Sequence, residues 1–182
     1  MLVAHSRNIR NLVIGHRGEL NVADELDQLR DAGWHVVHDI VDKNHNIDHA
    51  VITDECVWVI ETKAISKRSH GNKNTIAWDG ITIRLNGSDI GTAHLNQAEK
   101  NRIDVEQRLR DRGYNGPVHA VVLYPGWFVE SSKNGLPLIA NPKFFVMRLI
   151  RRVDNANRRV LSPEQQLLAF HLLDDWARQP LQ

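Results

Sequence analysis

Between Asn46 and Lys63 the chain reads NIDHAVITDECVWVIETK. Two short apolar runs, 50–53 and 56–60, are rich in Val, Ile and Trp, and Thr53-Asp54-Glu55 between them reads as a turn. The pattern predicts a β-hairpin, although Asp-Glu is not among the favoured turn pairs. With Asp54-Glu55 at the tip the register follows. Thr53 faces Cys56, Ile52 faces Val57, and Asp48 comes to face Glu61. Lys63, two residues further on, points to the same side as Glu61. One local pairing thus gathers two carboxylates and an amine on one face of a sheet.

Like charges placed opposite one another destabilise a sheet, and close carboxylates raise one another's proton affinity. A divalent cation removes both penalties, and oxygen ligands of this kind suit Mg2+ or Mn2+. The competing reading is plainer: Asp48 and Glu61 are solvated strand ends, with Lys63 as their counter-charge.

The length of 182 residues sets one domain with room for an appendage, and a 42% hydrophobic fraction with five Trp is enough for a core. No apolar run reaches transmembrane length, and the start MLVAHSRNIR is too short and too basic for a signal peptide. A cytoplasmic protein without a membrane partner is expected. The single cysteine, Cys56, excludes an internal disulfide and argues against a cysteine-built zinc site. A net charge of +1 argues against a general nucleic-acid coat, yet the charge is unevenly spread. Lys67, Arg68 and Lys73 form an acid-free patch just after Lys63, and Arg148, Arg151, Arg152, Arg158 and Arg159 crowd a later segment. Each such run is also what an ordinary solvated face looks like.

Residues 16–32 predict a helix closed by Gly33, with Val22, Ala23, Leu26 and Leu29 as its apolar stripe. Glu19 falls at the N-terminal end of that stripe, where it serves either the helix dipole or a site at the sheet. A strand is expected over 34–40, a polar connection over 41–46, and a basic loop over 64–74. A second hairpin, 75–78 with 81–85, turns at Asp79-Gly80, and 86–92 is a loop. A helix follows over 93–112 and ends at Gly113. Gln97 and Asn101 border its buried stripe, one turn apart. They are ordinary boundary amides or a pair able to hold a phosphate, a water or a base. Residues 118–124 read as a buried strand.

In the tail, 142–153 predicts a basic helix, and Ser162-Pro163-Glu164-Gln165 is a helix start. The helix after it carries Leu168, Leu172 and Trp176 at helical spacing, a stripe for the core or for a protein partner of the C-terminal helices. The order of elements gives an α/β fold with a mixed sheet. There is no P-loop, HExxH or GxSxG motif. The ten histidines offer no converging zinc set: His45 and His49 flank a strand start, and His35 and His38 point to opposite faces.

Gly18-Glu19 on a helix, Asn46-Ile47-Asp48-His49 opening a strand, Glu61-Thr62-Lys63 closing the next, and Gln97 with Asn101 on a later helix resemble the nuclease-related domain (NERD) family. That family belongs to the PD-(D/E)XK nuclease superfamily. The resemblance spans about residues 15–124. It departs in lacking a Pro ahead of Asp48 and in the basic loop after Lys63. It implies a restriction-endonuclease-like mixed sheet flanked by helices over 15–126, an N-terminal arm over 1–14, and a mostly helical extension over 127–182. It also implies a nuclease that hydrolyses phosphodiesters in nucleic acid, with DNA as the expected polymer. Asp48, Glu61 and the Thr62 carbonyl would hold Mg2+ or Mn2+. Lys63 would orient the attacking water, Glu19 would support the site or a second ion, and Gln97 would steady phosphate or water. Lys67, Arg68, Lys73 and Asn101 would contact nucleic acid. Two rivals stay open: a catalytically silent module that binds DNA or protein, and a small-molecule phosphohydrolase, which would need a closed pocket.

Overall fold

The fold is built on the two strands between Asn46 and Thr62, which are buried on both faces. In the computed structural model, which describes residues 2–41, 46–67, 74–131, 139–151 and 160–179, β2 (Asn46–Ile52) and β3 (Val57–Thr62) form the predicted hairpin. Ile52 pairs with Val57, Val51 with Trp58, and His49 with Ile60, which is the expected register. Thr53 explains how an unfavoured turn pair holds it. Its Oγ accepts the backbone N–H groups of Glu55 and Cys56, both at 3.1 Å, while its own N–H donates to the Cys56 carbonyl at 3.0 Å. The side chain thus substitutes for the missing turn chemistry.

β1 (His35–Val41) adds antiparallel to β2, and β7 (Val118–Leu123) adds parallel to β3. A two-residue strand, β9 (Ile139–Ala140), completes a mixed sheet of order β1-β2-β3-β7-β9. Helix α1 (Leu2–Asp31) and α3 (Pro142–Ile150) cover one face through Val22, Leu26, Leu29, Phe145 and Leu149. Helix α2 (Ala93–Arg110) and α4 (Pro163–Ala177) cover the other through Val105, Leu109, Ala169, Leu173 and Trp176. This is the mixed α/β arrangement of the restriction-endonuclease-like fold. A second sheet, β6-β5-β4-β8, is made of β4 (Thr75–Trp78), β5 (Ile83–Leu85), β6 (Ser88–Asp89) and β8 (Phe128–Ser131). It packs Ile76 and Ile83 against Ala98, Val122, Tyr124 and Trp127.

Several elements differ from the sequence expectation. The first helix begins at Leu2 rather than near residue 16, so Gly18 and Glu19 lie in mid-helix and a first-turn dipole role for Glu19 is excluded. The Asp79-Gly80 connection is a four-residue loop, since Trp78 pairs with Ile83; Asp79 Oδ1 accepts from Ile81 N and Thr82 N at 2.9 Å and holds it. The expected loop at 86–92 contains a tight hairpin. Asn86 and Gly87, both at positive φ, join Leu85 to Ser88, as Asn-Gly favours. The α4 stripe is rotated by one residue: Ala169, Leu173 and Trp176 are fully buried, while Leu168 and Leu172 are partly so. It faces β1, so it is core.

Candidate active site

The register that pairs His49 with Ile60 carries Asp48 to the end of β3. There Asp48 Oδ2 accepts the Thr62 backbone N–H at 2.6 Å. Glu61 and Asp48 are both buried, with Glu61 only 2% exposed. Glu61 points to the α2 side of the sheet. Its Oε2 accepts from Asn101 Nδ2 at 3.1 Å and its Oε1 meets Lys63 Nζ at 2.6 Å. Lys63 Nζ also donates to Gln97 Oε1 at 3.0 Å. One ammonium and two amides therefore hold the residues at the strand end in fixed directions.

The electrostatics are those of a site short of positive charge. Burial, then the charge of Glu61, pushes the Asp48 carboxyl up to about 7, against the opposing pull of the Thr62 N–H. Burial also raises Glu61, with Lys63 pulling the other way. A second acidic neighbour, Glu19, raises both. It stands further off, 38% exposed and 4.0 Å from His16 Nδ1. Its helix reaches the site because Gly18 packs directly on Ala64: a Cβ at residue 18 would overlap Ala64 Cβ and touch Pro125. Gly18 is thus a close-approach position and not a helix start.

The structure gathers Asp48, Glu61, Lys63, Gln97 and Asn101, and leaves Glu19 at the edge. Asn101 is turned inward. It is buried, and its Nδ2 donates to Glu61 and to the Asn46 carbonyl at 3.3 Å. Lys67 is exposed and its ammonium lies over Gly126. Arg68 and Lys73, like His45, Arg152, Arg158 and Arg159, lie outside the described residues. Two neighbours escaped the sequence reading. His94 Nδ1 lies 2.8 Å from the Tyr124 hydroxyl, and burial, with Lys63 nearby, lowers its imidazole. Its signal was available, since His94, Gln97 and Asn101 follow one another at helical spacing. Elsewhere, His38 Nδ1 lies 2.8 Å from His49 Nδ1, with Asp27 Oδ1 3.2 Å from His38 Nε2. Because side chains alternate along β2, this chain lies on the face opposite Asp48.

Among the described residues no three His, Cys, Asp or Glu side chains converge on one point. The donor set at the strand end is two carboxylates, with the Thr62 carbonyl directed to the same side as its N–H. That is an all-oxygen set of the kind Mg2+ accepts when water and phosphate complete its shell. The residues therefore fit a hard divalent cation. Among the described residues no helix is long and apolar enough to cross a membrane.

No curated protein and no solved structure matches the chain. The family model for the nuclease-related domain matches residues 14–125, which is more than half of it and includes every residue of the strand-end cluster. The chain belongs to the NERD, or nuclease-related domain, family.

Proposed function

We propose that the protein is a metal-dependent nuclease that hydrolyses phosphodiester bonds in DNA. One observation carries the reading: two buried carboxylates meet at a strand end with a single ammonium between Glu61 and Gln97, and the Asp48 proton affinity is raised to about 7. A carboxyl held that high is poised to exchange its proton for a cation.

Asp48 and Glu61, with the Thr62 carbonyl, would hold Mg2+ or Mn2+. Such an ion supplies Lewis-acid polarisation of a phosphate and acidifies coordinated water. The remaining work belongs to the chain. Asn101 fixes the Glu61 carboxylate. Gln97 fixes the Lys63 ammonium, which orients the attacking water and offsets charge that develops on the phosphate. Glu19 adds negative potential from the α1 side and strengthens cation binding. Lys67, with Arg68 and Lys73 beyond it in sequence, contacts backbone phosphates without reading bases.

Incubating labelled linear, circular and single-stranded DNA with Mg2+, Mn2+ or EDTA tests the proposal. Cleavage is expected with either ion and not in EDTA. Asp48→Ala and Glu61→Ala should abolish it, and Lys63→Ala should slow it roughly 10²–10³-fold, the scale of losing one charge-stabilising donor, with most DNA affinity kept. Binding without cleavage under every condition would instead support the silent module. Equal cleavage by wild type and both carboxylate variants would remove the site from the chemistry.

A further inference from the structure

Of the four Phe side chains in the sequence, Phe128 and Phe144 stand 64% and 62% exposed. Both line one groove of about 900 Å3 between α1, α3 and β8, with the half-exposed Met147 beside them. Two exposed aromatics lining one groove mark it as a candidate binding surface. The groove carries the wrong charge for a purely apolar occupant. Lys143 and Arg148 stand on its α3 wall, and Asn21, Asp24 and Glu25 on its α1 wall. Lys143 Nζ spans to Glu25 Oε1 at 3.7 Å while remaining 81% exposed.

The groove also adjoins the candidate active site. Pro125 and Gly126 form part of its lining, Gly18 of α1 packs beside Pro125, and Lys67 lies over Gly126. A strand whose scissile phosphate sits at Glu61 and Lys63 would enter the groove by passing Pro125, Gly126 and Lys67, at the end of the sheet where its two faces meet.

The geometry points to a stacking groove for unpaired bases of the substrate strand, in which Phe128 and Phe144 bind base faces and Lys143 and Arg148 bind the adjoining phosphates. The inference rests on the nuclease reading and narrows its substrate to DNA with a single-stranded or frayed segment. Aromatic faces accept any base, so recognition is of the unpaired state and not of sequence. The volume lies near the top of the range for small-molecule pockets, about 300–1,000 Å3, which suits more than one base. Asp24 and Glu25 repel phosphate and leave base amino groups as the partners for that wall.

Binding in EDTA, where no cutting is expected, tests it with a single-stranded oligonucleotide carrying 2-aminopurine and with a relaxed, covalently closed circular duplex that has no unpaired bases. Wild type should bind the single strand at least about tenfold more tightly, with quenching of the 2-aminopurine on stacking. Phe128→Ala with Phe144→Ala should weaken single-strand binding by about tenfold or more and leave the duplex unchanged. Both residues are exposed, so the fold tolerates the change. Unaltered single-strand binding by the double variant, in a protein that still cleaves DNA, would overturn the groove's role and leave the nuclease reading standing. Equal weakening on both substrates would overturn it too. A wild type that neither binds nor cleaves either substrate would fail the nuclease reading itself.

Discussion

Asp48 concentrates the physical conflict in this protein. Its side chain is buried beside Glu61, and both facts favour the protonated form. A carboxyl whose folded value, about 7, exceeds its unfolded value of about 3.9 contributes stability that is complete below pH 4. That contribution is lost as pH rises through 7, by up to about 1.4 kcal/mol per unit. His49 has the opposite sign. Burial and the neighbouring His38 lower it to about 3, so its contribution is present above pH 6.5 and is lost on acidification. Comparing wild type with Asp48→Asn separates the two, because His49 is common to both. In EDTA, urea melts from pH 5 to 8 should show the variant gaining on wild type up to about pH 7 and the gain levelling off by about pH 8. A difference independent of pH would mean that Asp48 titrates as a solvated strand end.

At the scale of elements, the site depends on how closely α1 approaches the loop after β3. Gly18→Ala would ordinarily stabilise a helix by up to about 1 kcal/mol. Here the added methyl meets Ala64 Cβ and backbone that cannot swing aside, and overpacking of that kind costs about 1–3 kcal/mol. A lowered melting temperature is expected for Gly18→Ala, with most of the loss recovered when Ala64→Gly is added. A rise in the single variant would mean the contact is absent. This approach was not legible in the sequence, where Gly18 reads as the opening of a helix. The β2–β3 register was legible because adjacent Val- and Ile-rich runs leave few ways to pair, and so was the Ser162-Pro163 helix start, where Ser162 Oγ accepts from Gln165 N at 3.3 Å. The short strands β8 and β9 were not. They owe their form to pairing with β4 and β7, elements distant in sequence, and carry little signal of their own. The early start of α1 was missed for a related reason: Ile9, Leu12 and Val13 are exposed and mark no buried stripe.

For the whole molecule, the two faces of the sheet contribute different parts of one device. The face covered by α2 orients the carboxylates and the ammonium through Asn101 and Gln97. The face covered by α1 and α3 adds Glu19 and the aromatic groove. The strand ends of β3 and β7 are where the two meet. The central claim is that the Asp48–Glu61 pair is built to hold a divalent cation. Thermal melts of wild type and Asp48→Asn, each in EDTA and in Mn2+, test it most directly. In EDTA near pH 8 the variant should be at least as stable as wild type, because it lacks the charge that Asp48 carries there beside Glu61. Mn2+ should raise the melting temperature of wild type, since the ion binds the folded state, and should do little for the variant. A variant clearly less stable than wild type in EDTA, yet stabilised by Mn2+ to the same extent, would contradict the account.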